Sequence, residues 1–382
     1  MKRLILSLFT VLLIAACSQQ QPDLTDSAQF VTKLGNDTLV VEQFNKSENG
    51  MIARVMMRSP ELRFSTYNLN LDESGGIQAM IRLDHPAEGG FSAEGDTVQT
   101  IVHVGDSLVI NYSTVEGTRR LAAEYREGTL PFIDQVHWPY ELALNRAAGM
   151  SGDTLNQPLL SGSRISNFVI ARMAPDSMTV RHPSRGVMGV DVANGGNLQF
   201  LDAGLTTRKL KVDRVAQGDL AMLEARFREM GQVGELSGAR EASYTVQGAD
   251  FTVTHGVPMK RGRDIFGGIV PWGQTWRTGA NAATHFSTSA DLMIGDLEVP
   301  AGEYTLFTIP EEDGGTLMIN RETGINGQSY DPEMDLGRVP MQIGEQDTVT
   351  EAFTITVEEQ GEGGVLKLIW DRTVFSIPFQ VQ

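Results

Sequence analysis

Thr38-Leu39-Val40-Val41-Glu42-Gln43-Phe44, then Asn49-Gly50, then Met51-Ile52-Ala53-Arg54-Val55-Met56-Met57: two short, partly alternating runs flank an Asn-Gly pair. This is a hairpin pattern, because Asn and Gly tolerate the positive φ that a tight reversal demands. Gly35-Asn36-Asp37 reverses the chain ahead of it. Behind it, runs at 63–71 and 76–83 flank Ser74-Gly75-Gly76, and runs at 97–104 and 107–112 flank Gly105-Asp106. Connections this short leave no room for crossover helices, so the spacing predicts an antiparallel meander. The two-residue period also sends the neighbours Met56 and Met57 to opposite faces.

Farther along, the alternation breaks from Leu130 through Trp138 to Glu141. A short helix is expected over 140–148 with Pro139 near its start, covering a cavity or capping a packed barrel. Strands resume at 165–171, 177–181, 186–192, 197–201 and 209–215. Leu220, Leu223, Phe227 and Met230 then share one helical stripe, with Asp219 as N-cap and Gly231 as stop, and read as a connector. A second β region follows, with strands at 242–247, 251–256, 283–289, 304–309, 316–320, 352–358, 365–370 and 374–381. The chain thus reads as mainly β. An antiparallel barrel-like domain is expected at 30–217, a helical connector at 218–240, and a β-sandwich or small barrel at 241–382.

The beginning differs in kind. Met1-Lys2-Arg3 is positive, and the next thirteen residues are apolar apart from Ser7 and Thr10, ending at Cys17. A helix of that length rises about 20 Å, short of a bilayer core of about 30 Å, as expected of a signal rather than a span. Leu13-Ile14-Ala15-Ala16-Cys17 resembles the bacterial lipoprotein signal. The resemblance implies a signal peptide at 1–16, acyl chains on Cys17, and a lipidated tether at 17–29. Ser18 lacks the aspartate associated with inner-membrane retention, which implies an outer-membrane lipoprotein of the cell envelope.

Charge narrows the partners. The 382 residues carry 31 Lys and Arg against 48 Asp and Glu, a net −17, and losing Lys2 and Arg3 with the signal takes this to −19. Such a body repels nucleic acid and anionic lipid, so attachment to membrane would rest on the lipid alone. The single cysteine makes no internal disulfide.

In the second region, Gly262-Arg263-Asp264-Ile265-Phe266-Gly267-Gly268, Val270-Pro271-Trp272-Gly273 and Trp276-Arg277-Thr278-Gly279-Ala280-Asn281 follow in order. Val299-Pro300-Ala301-Gly302-Glu303-Tyr304, Trp370-Asp371 and Pro378-Phe379 come later. These blocks resemble domain-of-unknown-function family 2911, over about 241–382. The resemblance implies no reaction. Ala282 stands where it leads one to expect Glu, so no carboxylate role passes to that position.

Candidate chemistry is sparse. The stretch 262–268 lacks the spacing and Gly-Lys-Ser/Thr ending of a phosphate loop, so no cofactor is expected there; its glycines are better explained by tight turns beneath Phe266, Trp272 and Trp276. Arg277, Asn281 and His285 recur every four residues and can share a face, as a carboxylate clamp, an amide contact and a proton relay. With Ser287 or Ser289 nearby, they offer a possible hydrolase neighbourhood at 277–289. The simpler account is that Arg277 and Asn281 tie down a loop while His285 ends a β core. The six histidines form no metal-binding cluster in sequence. Asp331, Glu333 and Asp335 are hard-oxygen candidates for calcium, although Pro332 and the missing EF-hand pattern favour an exposed acidic turn.

The expectation is therefore a noncatalytic protein, lipid-anchored in the envelope, that binds another envelope protein or organises an assembly. An apolar-ligand or lipid carrier and a hydrolase are the alternatives.

Overall fold

A computed structural model describes residues 23–382, and Cys17 with the whole signal segment lies outside them. Two sheets hold most of the described chain, one of 15 strands and one of 9, as a mainly β sequence requires. The opening hairpin forms from Asp37–Ser47 and Gly50–Met57, with Val41 opposite Met56 and Phe44 opposite Ala53. Its reversal comes one residue early, at Glu48-Asn49. Gly50 instead begins a strand, where a Cβ would lie 2.2 Å from the Leu69 carbonyl oxygen, so close approach of the next strand is what requires glycine there.

The strand Leu24–Leu34 lies mid-sheet. On one side the next seven strands follow in chain order to Gly117–Glu124; on the other comes Lys211–Val215, from which the order runs back to Leu130–Pro131. The sheet curls on itself, since the Ile77 amide donates to the Thr129 carbonyl at 2.8 Å, beside the last strand. Phe30, Tyr67 and Leu108 from one half therefore share a core with Phe168 and Leu201 from the other. The helix Trp138–Gly149 fills the middle of this barrel: Trp138, Leu144 and Ala147 belong to the same core. Its first amides are held by the buried Glu42 carboxylate, which accepts from His137 N at 2.9 Å and Trp138 N at 2.8 Å.

Two expectations need correction. Residues 24–29 are strand rather than tether, because their polar groups find partners inside the fold: Gln29 Oε1 accepts from Gln43 Nε2 and Gly218 N, and Asp26 pairs with Arg214. Strands at Gly117–Glu124 and Thr154–Ser161 went unread, the first as a mostly exposed edge without apolar alternation and the second interrupted by Pro158. The helix of the region 218–240 joins the two domains in the chain as expected, and it also packs on the first. Asp219 caps and Gly231 (φ 64) ends the helix Leu220–Met230 as expected, and Phe227 packs on Val41, Met56 and Phe64 outside the barrel. Met57 faces the barrel core, so the alternation of Met56 and Met57 is what creates the apolar seat for the helix.

The second sheet begins at Ser237–Val246. Its order continues through Ala249–Pro258, Thr284–Thr288, Gly302–Glu311, Gly314–Asn320, Asp335–Gln360 and Gly363–Val381 to Leu292–Ile294 and Leu297–Val299. Asp335–Gln360 and Gly363–Val381 form one long hairpin where shorter runs were expected; its breaks in register near Thr350 are absorbed within the strands. A bridge between Met259 and Ala352 folds the sheet over a core that includes Phe251, Phe286, Leu306, Phe353 and Trp370.

Candidate functional site

The two domains meet where the turn Gly35-Asn36-Asp37 abuts the loop after Pro258. Asn36 N donates to Arg261 O at 2.9 Å, and the Arg261 guanidinium pairs with Asp37. Arg261 N in turn donates to Glu351 Oε1 at 2.6 Å, and Lys260 pairs with Asp371, tying the loop to the long hairpin.

Beside this contact opens a cleft of about 570 Å³ lined by both domains. Its volume is within the range of small-molecule sites. The first domain contributes Leu34, Asp134, Gln135, Arg185, Arg208 and Lys209; the second contributes Arg263, Ile269, Trp276, Arg277 and Asn281. Asp134 is occupied, accepting from Arg185 Nη1 at 2.5 Å and pairing with Arg208 as well. Behind it, His182 lies in a narrow adjoining cavity against Phe168. Burial, and then Arg185, hold that imidazole down at about 4, so it is neutral at pH 7.

The backbone around the cleft is unusual. Gln135 (φ 66), Lys209 (φ 54) and Asn281 (φ 66) line it, and Thr278 (φ 55) lies between the lining residues Arg277 and Gly279. A positive φ is disfavoured for any residue with a Cβ, and most of all for a β-branched one such as Thr. Gln135 Oε1 is also buried without a hydrogen-bond partner.

The residues singled out from sequence separate here. Arg277 and Asn281 reach the cleft, where Arg277 Nη1 donates to the carbonyls of Asn281 and Asn326, and Asn281 Nδ2 donates to Ser237 O at 2.6 Å. Both tie down the loop. His285 lines a smaller adjoining cavity instead; its Nε2 accepts from Gly324 N at 2.9 Å and its Nδ1 is buried without a partner. The register that sets Thr254 opposite His285 puts His255 on the other face of the sheet, although both residues border the smaller cavity. Ser287 shares His285's face two residues along the strand, but no hydrogen bond joins them among the described residues, and Ser289 Oγ accepts from Asp250 N at 2.8 Å. Arg277, Asn281 and His285 do not all line one opening: Arg277 lines the cleft, His285 the smaller cavity, and Asn281 both.

Asp331, Glu333 and Asp335 also part. Asp331 Oδ1 accepts from Glu333 N, while Asp335 accepts from Asn320 and Tyr330 and pairs with Arg338. Among the described residues, no three His, Cys, Asp or Glu side chains gather as a metal-binding group. Under the aromatic residues the glycine reading holds: Gly267 has φ 84, and a Cβ there would stand 2.6 Å from Trp272 Nε1.

Sequence reading missed Gln135, Lys209 and Arg263. Asp134, Arg185, Arg208, Lys209, Arg263 and Arg277 come from separate stretches, so no local motif announces the cleft.

Residues 237–379 match the family described as "Protein of unknown function (DUF2911)", a little over a third of the chain. The match begins with the first strand of the second sheet and covers the half of the cleft that carries Arg263, Trp276, Arg277 and Asn281. No curated protein matches the chain.

Proposed function

We propose that this chain is a noncatalytic binding protein of the cell envelope, held at the outer membrane by acyl chains on Cys17, and that it takes its ligand in the cleft between its two β domains. The cleft carries the reading: it is small-molecule sized, built by both domains, and bordered by four non-glycine residues at positive φ. Backbone strain of this kind persists only where surrounding structure holds it, and it gathers at ligand sites. The anchoring half of the proposal rests on the signal-like run ending at Cys17.

Two measurements test it. Metabolic labelling with an alkyne fatty acid should mark the mature chain and fail to mark Cys17→Ser, which should be released from membranes; an unlabelled, freely soluble wild type overturns the anchor. Native mass spectrometry of gently extracted protein should show a small molecule at one per chain that is lost when Asn281→Trp fills the cleft. A ligand-free chain, or binding unchanged in Asn281→Trp, overturns the cleft.

A further inference from the structure

The cleft is positive in a negative protein. Five cations line it, Arg185, Arg208, Lys209, Arg263 and Arg277, against two carboxylates, Asp134 and Glu235, while the whole chain stands at −17. Asp134 is already shared by Arg185 and Arg208. Lys209, Arg263 and Arg277 are different: among the described residues none forms an ion pair, and all spend donors on carbonyls, with Lys209 and Arg263 coming from opposite domains. Lys209 Nζ donates to Gly204 O at 3.2 Å, and Arg263 donates from Nε to Lys260 O at 3.0 Å and from Nη2 to Met259 O at 2.6 Å.

We propose that Lys209 and Arg263 form an anion-binding subsite for the phosphate or carboxylate group of a small acidic ligand, which joins the two domains by sitting between their charges. The inference rests on the cleft being the ligand site and adds the ligand's chemical class. Two like charges partly withdrawn from water repel each other and lack the solvation each would otherwise have; an anion between them removes both penalties. Burial, and after it the neighbouring cation, holds Lys209 below its usual range, as burial and Arg261 do for Arg263. Low-dielectric walls lined by one sign of charge concentrate counter-ions. A cleft of about 570 Å³ suits a small acid, whereas a nucleic acid would also meet the chain's negative exterior. Trp276 and Ile269 supply apolar surface for the rest of such a ligand.

Calorimetric titration of the detergent-extracted mature chain with inorganic pyrophosphate, and separately with citrate, at constant ionic strength is the test. Saturable one-to-one binding of at least one probe is expected, and the one that binds tells a phosphate source from a carboxylate source. Lys209→Met and Arg263→Met should each weaken it about tenfold or more, the worth of one charge-assisted hydrogen bond. Lys209→Met should also leave the melting temperature of the ligand-free protein unchanged or raise it, since it removes a repulsion; this variant alone decides if Arg263→Met does not fold. Failure of both probes to saturate, or variants that bind like the wild type, overturns the subsite. If the probes fail while a neutral compound copurifies in the cleft, the subsite falls and the binding reading stands; if nothing copurifies either, both fall.

Discussion

Arg261, in the first loop of the second domain, closes its guanidinium on the Asp37 carboxylate of the first. The arginine side chain is only 8% exposed, and its Nε is buried without a partner, so this carboxylate is the main compensation for a charge taken out of water. The contact sets the mouth of the cleft, because Arg263 lies two residues farther along the same loop.

Asp37→Ala should accordingly cost about 1–3 kcal/mol, the range for leaving a buried charged donor unsatisfied. Urea midpoints check this against Asp213→Ala, whose partner Lys33 is 45% exposed and whose loss should stay within about 1 kcal/mol. Equal effects from the two would show that the junction pair is an ordinary surface contact.

Gly35 is a point of close approach between the domains. Its φ is +59, and a Cβ would stand 2.1 Å from Arg261 O and 2.9 Å from Arg263 Cγ. Gly35→Ala should loosen the junction and cost about 1–3 kcal/mol from the backbone conformation alone. Limited proteolysis should then cut faster near Gly234, between the domains; an unchanged cleavage rate would refute the close packing.

Phe227 is 1% exposed against Val41, Met56 and Phe64. Phe227→Ala should destabilise the first domain by about 3 kcal/mol or more, as an aromatic truncation in a packed core does. A helix that merely linked two domains would show almost no loss in the same denaturation experiment.

His182 gives a pH dependence whose sign follows from its environment. Its folded value of about 4 lies below the ordinary 6.5, so between these values the unfolded chain takes up a proton that the folded chain refuses. Stability from this group is complete above about pH 6.5 and declines as pH falls toward 4. The melting temperature should drop less between pH 7 and pH 5 in His182→Phe than in the wild type. Parallel curves would show that His182 is not responsible.

Local order was readable because it depends on neighbours in the chain. Alternation around 38–57 announced the meander, Asp219 and Gly231 marked a helix at both ends, and the adjacency of Met56 and Met57 set them on opposite faces. The family resemblance of the second region came the same way, from ordered blocks that residues 237–379 bear out. Arg277 and Asn281 were picked out by spacing, but spacing put His285 with them. The fold parted Arg277 from His285, because a loop intervenes before the strand that carries His285, and left Asn281 lining both cavities.

Tertiary structure alone decided the cleft. Lys209 and Arg263 lie far apart in the chain and in different domains, and nothing near either one in sequence predicts the other. Only the docking of the Gly35 turn onto the Arg261 loop makes them neighbours. Hydrogen-bonding pattern and hydrophobic period act over a few residues and so are written locally, whereas an electrostatic site depends on which distant charges packing leaves together without a counter-ion.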